Sequence, residues 1–181
     1  MKRKNENKQN SLTEKLKETL SRCELGKKSR ILVAVSGGPD STALLLLLNE
    51  VKAEYELTLK AAYFNHGIRP EEELQREFEI VKSLCSKFEI SLISEGLESG
   101  IVEAKAREEN RSLEDCAREA RYIFFKKLMV NEGFHFLATG HTADDQAETI
   151  LMRILQGSGP GGLAGIPLER EETNFRIIRP I

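Results

Sequence analysis

Residues 31 to 48 read I-L-V-A-V-S-G-G-P-D-S-T-A-L-L-L-L-L, and the order of residue types within this stretch decides the fold. Ile31 to Val35 is apolar and β-branched, long enough for a buried strand and too short for most helices. Ser36 to Ser41 breaks the run, and Thr42 to Leu48 resumes with strong helix formers. A strand, a glycine turn and a helix, in that order, aim the free N–H groups of a helix N-terminus at an anion. Gly37 and Gly38 let the backbone take positive φ and approach a phosphate with no Cβ in the way. Ser36 and Ser41 add hydroxyl donors, and Asp40 is placed to help hold a Mg2+ bound to the same phosphates.

Two better-known phosphate loops are excluded. No lysine occupies the turn, so G-x-x-x-x-G-K-[ST] is absent, and G-x-G-x-x-G does not fit either. The hexapeptide S-G-G-P-D-S instead resembles the signature of the PP-loop ATP pyrophosphatases, which cleave ATP to an adenylated intermediate and pyrophosphate. A serine-rich βα turn with a good N-cap is the plain alternative. The full hexapeptide between a strand and a helix favours an ATP site and says little about the second substrate.

With 181 residues, of which 40% are apolar and 31% charged, the chain suits one soluble α/β domain with a well-buried core. A net charge of −2 argues against binding nucleic acid by bulk charge. That charge is uneven: residues 1 to 30 hold ten Lys/Arg and four Asp/Glu, a local +6, and the remainder carries −8. The basic opening could touch RNA, although solvated helix surface is the preferred reading. Cys23, Cys85 and Cys116 form no C-x-x-C, so neither a disulfide framework nor a zinc site is expected. The N-terminus lacks an apolar signal core, and the leucine run at 44 to 48 falls far short of the roughly 20 residues of a membrane span. A cytoplasmic protein without membrane contact is the expectation.

Along the chain, residues 1 to 10 are polar and expected to fray. Ser11 to about Leu25 spaces Leu12, Leu16 and Leu20 on one helical face, with Ser11 and Glu14 in capping-box positions and Gly26 closing the helix. Further strands are predicted over 57–64, 90–94, 134–139 and 176–181, and helices over 71–88, 101–110, 112–131 and 141–156. Ser112 and Asp115 offer a second capping box. The alternation predicts an α/β domain: a doubly wound, mostly parallel five-stranded sheet with helices on both faces, Rossmann-like. Residues 1–29 form a basic amphipathic helix in this scheme, and residues 30–181 the catalytic domain. Ligands in such sheets sit beyond the carboxyl ends of the strands.

Two further constellations fall at that edge. In A-T-G-H-T-A-D-D-Q-A-E-T (138–149), His141, Asp144, Asp145 and Glu148 stand at i, i+3, i+4 and i+7 and share one face of a helix. Such a stripe can bind a metal, or grip a cationic amine and take its proton. An acidic first helical turn is the alternative, and the position straight after a strand favours the functional reading. Arg118 and Arg121, i and i+3, flank an apolar face of Leu113, Ala117, Ala120, Phe124 and Leu128. They suit a phosphate or an RNA backbone, or equally an ordinary charged flank paired with Glu114 and Glu119.

The motifs S-G-G-P-D-S, N-H-G-I-R-P-E, S-L-E-D-C-A-R-E-A-R-Y, A-T-G-H-T-A-D-D-Q-A-E-T, G-S-G-P-G-G-L-A-G-I and I-I-R-P come in this order. Together they resemble the N-terminal catalytic domain of the tRNA(Ile)-lysidine synthetase family, over residues 28 to 181. The resemblance implies a ligase. ATP adenylates O2 of the wobble cytidine in a tRNA(Ile) with a CAU anticodon, and the amino group of free L-lysine displaces AMP to give lysidine. It implies that Ser36, Gly37, Gly38, Asp40 and Ser41 hold ATP and its Mg2+, with Asp144 as a further metal candidate. Arg121 would lie near the reacting centre, Gly140 and His141 near the nucleotide, and Asp145 with Glu148 at the lysine. Asp40, Arg121 and Asp145 are the catalytic candidates.

Asn65 and His66 could contact adenine or ribose, with an Asx turn as the other reading. The glycine loop 157–162 could be a flap over the site or a linker. Family members carry further tRNA-docking domains after I-I-R-P, so those domains are expected to be absent here. A homodimer is one admissible assembly. Other functions stay open at this level: a PP-loop tRNA thiolase, which commonly uses paired cysteines; an amidotransferase-linked synthetase, for which no glutaminase-like segment is present; and a non-catalytic adenine-nucleotide module.

Overall fold

Alternation within the first strand sets the layers of the molecule. In β1 (Arg30–Val35), Ile31, Val33 and Val35 are buried on one face of the sheet and Leu32 on the other. A computed structural model describes residues 2–159 and 163–181, with side chains from residue 11 onward. Its further elements are α1 (Lys2–Arg22), α2 (Pro39–Val51), β2 (Thr58–Asn65), α3 (Glu71–Lys87), β3 (Ser91–Gly96) and α4 (Ile101–Glu109). They continue with α5 (Leu113–Glu132), β4 (Phe136–Thr139), α6 (Ala143–Leu155), β5 (Glu169–Glu171) and β6 (Arg176–Ile178). The strands form one sheet in the order β3-β2-β1-β4-β6-β5, parallel except for the β5–β6 pair.

Leucines of α1 and α2, with Val81 and Cys85 of α3, cover one face. Phe124, Phe125 and Met129 of α5 cover the other, against Leu32, Ala62, Leu137 and Ile177. The doubly wound α/β expectation therefore holds, and each helix layer buries an apolar stripe that the sheet cannot leave in water.

Several boundaries differ from the sequence reading. The sheet has six strands rather than five: β5 is E-R-E, three charged residues without apolar alternation, and it forms only because β6 offers a free edge. Helix α1 starts at Lys2 and runs through Ser11, so Ser11 and Glu14 make no capping box. Its opening is rich in Lys, Arg, Glu and Gln, which favour helix. Its buried side chains are Thr13, Leu16 and Leu20, while Leu12 is 46% exposed. The helix ends through Glu24 at φ 51°, with the Leu25 N–H on the Leu20 carbonyl, and not through Gly26. Ser112 does cap α5, accepting the Asp115 N–H at 3.1 Å. The predicted glycine loop 157–162 lies partly outside the described residues.

Candidate nucleotide-binding site

The chain builds β1, β2 and β3 outward on one side, then returns to lay β4 on the other side of β1. The loops after β1 and β4 thus diverge over the switch point, where open α/β sheets hold their ligands. A cavity of about 400 Å³ opens there. Among the expected residues it is lined by Ser36, Gly38, Asp40, Ser41, His66, Arg121, Gly140, His141 and Asp145. Gly37, Asn65, Asp144 and Glu148 are not part of its wall. Four segments spread over about a hundred residues therefore converge on one hollow.

The loop after β1 is held from within. Ser41 is buried; its hydroxyl oxygen accepts the Ser36 N–H at 3.1 Å and donates to the Gly38 carbonyl at 3.1 Å. That hydroxyl is committed to the loop's shape, and the exposed Ser36, whose own hydroxyl contacts it at 3.2 Å and accepts the Gly38 N–H at 3.4 Å, lines the cavity. Gly38 caps α2 with Pro39 at the first helical position, so the N-terminal N–H groups of α2 are free for an anion. Gly37 takes φ 82° and lies under Glu77, where a Cβ would come within 3.0 Å of the Glu77 Cβ.

Opposite, the β4–α6 loop differs from the expected stripe. Helix α6 begins at Ala143, so His141 precedes it and shares no helical face with the three carboxylates. Thr142 is the N-cap: its N–H donates to Asp145 Oδ2 at 2.6 Å, its hydroxyl at 3.1 Å, in a reciprocal capping box. One Asp145 oxygen thus holds the helix start, and Asp145 still lines the cavity. Asp144 and Glu148 are exposed.

His141 is fixed by a 2.9 Å contact between its Nδ1 and the Thr139 hydroxyl. Burial lowers its pKa, the Arg179 charge adds to this, and Asp145 opposes it. Burial, Arg69 and Arg121 lower the pKa of His66 likewise. Asn65 turns away: its Oδ1 accepts the Gly67 N–H at 2.8 Å, which is the Asx turn.

Arg121 reaches the cavity from α5. Its side chain keeps solvent contact through the mouth, yet protein surrounds the guanidinium, and that desolvation lowers its pKa. Among the described residues no ion pair joins Arg118 or Arg121 to Glu114 or Glu119. Glu119 is held by Arg111 and Lys105 instead. The pocket is therefore lined by an arginine without a carboxylate partner among the described residues, an arrangement that suits a phosphate. On the apolar side of α5, Cys116, Phe125 and Met129 are buried with Phe124, whereas Leu113 is 36% exposed.

The wall also holds polar residues that the sequence does not single out, among them Glu77 and Arg69, which form an ion pair at one side, and Tyr122. Arg69 and Tyr122 lie inside quoted motifs, N-H-G-I-R-P-E and A-R-E-A-R-Y, which was the available signal; Glu77 had none. Among the described residues no cluster of three His, Cys, Asp or Glu side chains could hold a metal alone. Mg2+ needs no such cage, since one carboxylate plus nucleotide phosphates suffices, and Asp40 at the phosphate loop fits that donor set. Cys23, Cys85 and Cys116 are free, buried and outside the cavity. No helix among the described residues is long and apolar enough to cross a membrane.

This is a doubly wound nucleotide-binding domain with its phosphate loop at the switch point. Its closer affiliation follows from comparison: the family model of the PP-loop domain matches residues 5–181, and the chain belongs to that family of ATP-binding domains. A protein named tRNA(Ile)-lysidine synthase from Clostridium tetani is 41% identical over 157 residues, 87% of this chain and 32% of its own length. Another of that name from Symbiobacterium thermophilum is 42% identical over 152 residues, 84% of this chain and 30% of its own. The chain thus spans about a third of the length of these curated relatives. The U34-tRNA thiolase NcsA of Methanococcus maripaludis superposes with a TM-score of 0.77 at 21% identity, over 94% of this chain and 58% of that one. That likeness concerns the fold alone.

Proposed function

We propose that this chain is the ATP-dependent catalytic domain of a tRNA(Ile)-lysidine synthetase, a carbon–nitrogen ligase. The observation that carries the reading is one cavity joining the phosphate loop, Arg121, His141 and Asp145. The names of the relatives support it. In this reading Ser36, the loop amides and Asp40 hold the triphosphate, with Gly37 supplying the turn, while Gly140, His66 and His141 border the nucleotide. A Mg2+ held by Asp40 and the phosphates would neutralise charge on the leaving pyrophosphate. O2 of the wobble cytidine of tRNA(Ile), in a CAU anticodon, attacks the α-phosphorus, and pyrophosphate departs. Arg121 stabilises the charge on the α-phosphoryl oxygens.

An amino group of L-lysine then attacks C2, and the C2–O2 bond breaks as AMP leaves with O2. Asp145 has one carboxylate oxygen outside the capping box to accept the amine proton. Glu148, one turn further along α6, supplies a second anion for lysine. Asp144 is a weaker candidate for metal, being exposed and off the cavity wall. Asn65 supports the nucleotide only through the turn it closes. The chain works in the cytoplasm, and a homodimer is compatible with the reading.

The test is incubation of tRNA(Ile) transcript, labelled lysine and ATP with this chain and with the longest available version of it, followed by nucleoside analysis. Lysine- and tRNA-dependent AMP release with labelled lysidine supports the reading. ATP binding without pyrophosphate release under any of these conditions makes the chain a nucleotide-binding module instead.

A further inference from the structure

A second hollow of about 400 Å³ lies between α5 and the β5–β6 edge, and it shares Tyr122 and Phe125 with the nucleotide cavity. Arg118, Tyr122 and Lys126 stand at i, i+4 and i+8 along α5, so they form one straight stripe into this hollow. Arg170 of β5 faces them from the other wall. Arg118 and Arg170 both lie over the Tyr122 ring, 5.7 and 5.4 Å from its centroid. The buried Arg179, 7% exposed, donates through its guanidinium to the Pro167 carbonyl, and its Nε has no partner among the described residues.

The hollow's wall also carries the carboxylates of Asp115, Glu119 and Glu172, one fewer than its four cations Arg111, Arg118, Lys126 and Arg170. Glu172 pairs with Arg170 at 2.6 Å, and Glu119 is held by Arg111 and Lys105. Arg118 and Lys126 have no carboxylate partner among the described residues. Like charges packed around one ring repel, and a guanidinium buried without a counter-ion is costly. Such a cluster is stabilised by an external anion, and an extended row of cations beside an aromatic ring suits a nucleic-acid backbone better than one phosphate.

We propose that this groove carries the RNA strand flanking the reacting nucleotide, with its phosphates on Arg118, Lys126 and Arg170. This rests on the reading of the adjoining cavity as the site where an RNA base meets ATP. A strand laid in the groove reaches the nucleotide cavity past Tyr122, the residue common to both. The interaction reads charge and not sequence, so it positions the RNA and leaves the choice of base to the cavity.

The experiment measures binding of a fluorescent anticodon stem–loop RNA to the chain across a salt series, for wild type and for Lys126→Ala, Arg170→Ala and both together. Each substitution is expected to weaken binding and to lower the slope of log K against log salt by about 0.7, with Lys126→Arg restoring it. ATP affinity and the thermal midpoint serve as folding controls and stay at wild-type values. A double variant with unchanged affinity and slope, or a wild-type chain that does not bind the RNA, overturns the proposal. If the RNA binds through these residues but no lysidine forms with any version of the chain, the groove stands and the lysidine reading falls.

Discussion

Gly140 sits against Ser41 so closely that a Cβ at position 140 would lie 2.9 Å from the Ser41 amide nitrogen and 3.0 Å from its Cα. The loop after β4 therefore rests directly on the phosphate loop, backbone on backbone, and neither neighbour is a flexible side-chain tip that could swing away. Gly140→Ala is expected to cost about 1–3 kcal/mol through overpacking, and to weaken ATP binding by parting the two loops. Thermal unfolding and ATP titration check this. Gly26→Ala is the control, because a Cβ there meets nothing within 4 Å. Equal behaviour of the two variants would show that the loop contact is slack.

Asp40 lies in the first turn of α2, exposed, and lines the cavity. A side chain with so little packing contributes little to stability, so Asp40→Asn is expected to leave the unfolding midpoint unchanged. Adenylation should nonetheless be lost, since the variant keeps the shape but not the charge that a metal needs. Pyrophosphate release in the presence of RNA and Mg2+ is the readout. Normal turnover by the variant would remove Asp40 from any metal-holding role.

Local chemistry explains which features the sequence made legible. The Ser36–Ser41 loop is written in contiguous residues, a glycine pair between a β-branched run and leucines, and the structure builds that loop. The carboxylates on α6 were not resolvable in this way, because what turns the helix toward the cavity lies elsewhere. The Gln146 side-chain amide donates through Nε2 to the Ile166 carbonyl at 3.0 Å and accepts the Ile166 N–H at Oε1 at 2.5 Å, and Arg153 donates to the Gly165 carbonyl at 3.1 Å. Those long-range bonds bring Asp145 to the cavity and leave Asp144 and Glu148 outside its wall. Tyr122 was equally hidden, since an aromatic at helical spacing reads as core until the second wall of its groove is in place. Strand β5 exists only by pairing, so its charged triplet carried no signal of its own.

Asp145 and Glu148 are separable by experiment because only one of them is structural. Asp145→Asn weakens a capping box and is expected to lower stability by about 0.5–2 kcal/mol, besides impairing lysine transfer. Glu148→Gln touches no such contact and should leave stability unchanged while raising the KM for lysine. Steady-state kinetics with lysine as the varied substrate, beside thermal unfolding, distinguishes them. An unaltered KM in Glu148→Gln would remove Glu148 from the lysine site.

Both cavity histidines have pKa values below the ordinary 6.5, lowered first by burial and then by neighbouring guanidiniums, Arg69 and Arg121 for His66, Arg179 for His141. A depressed histidine favours the folded state when neutral. Its contribution is therefore full above the unfolded value of about 6.5 and is lost as pH falls from there through the folded pKa. Stability of the nucleotide-free chain should decline over that window, and His141→Gln should flatten the decline. Triphosphate entering the cavity reverses the local charge and stabilises the imidazolium form, so ATP binding slightly below neutral pH should take up protons. Calorimetric titrations in two buffers of different ionisation enthalpy measure that uptake directly. An apparent binding enthalpy independent of buffer would place the phosphates too far from His66 and His141 to feel their charge.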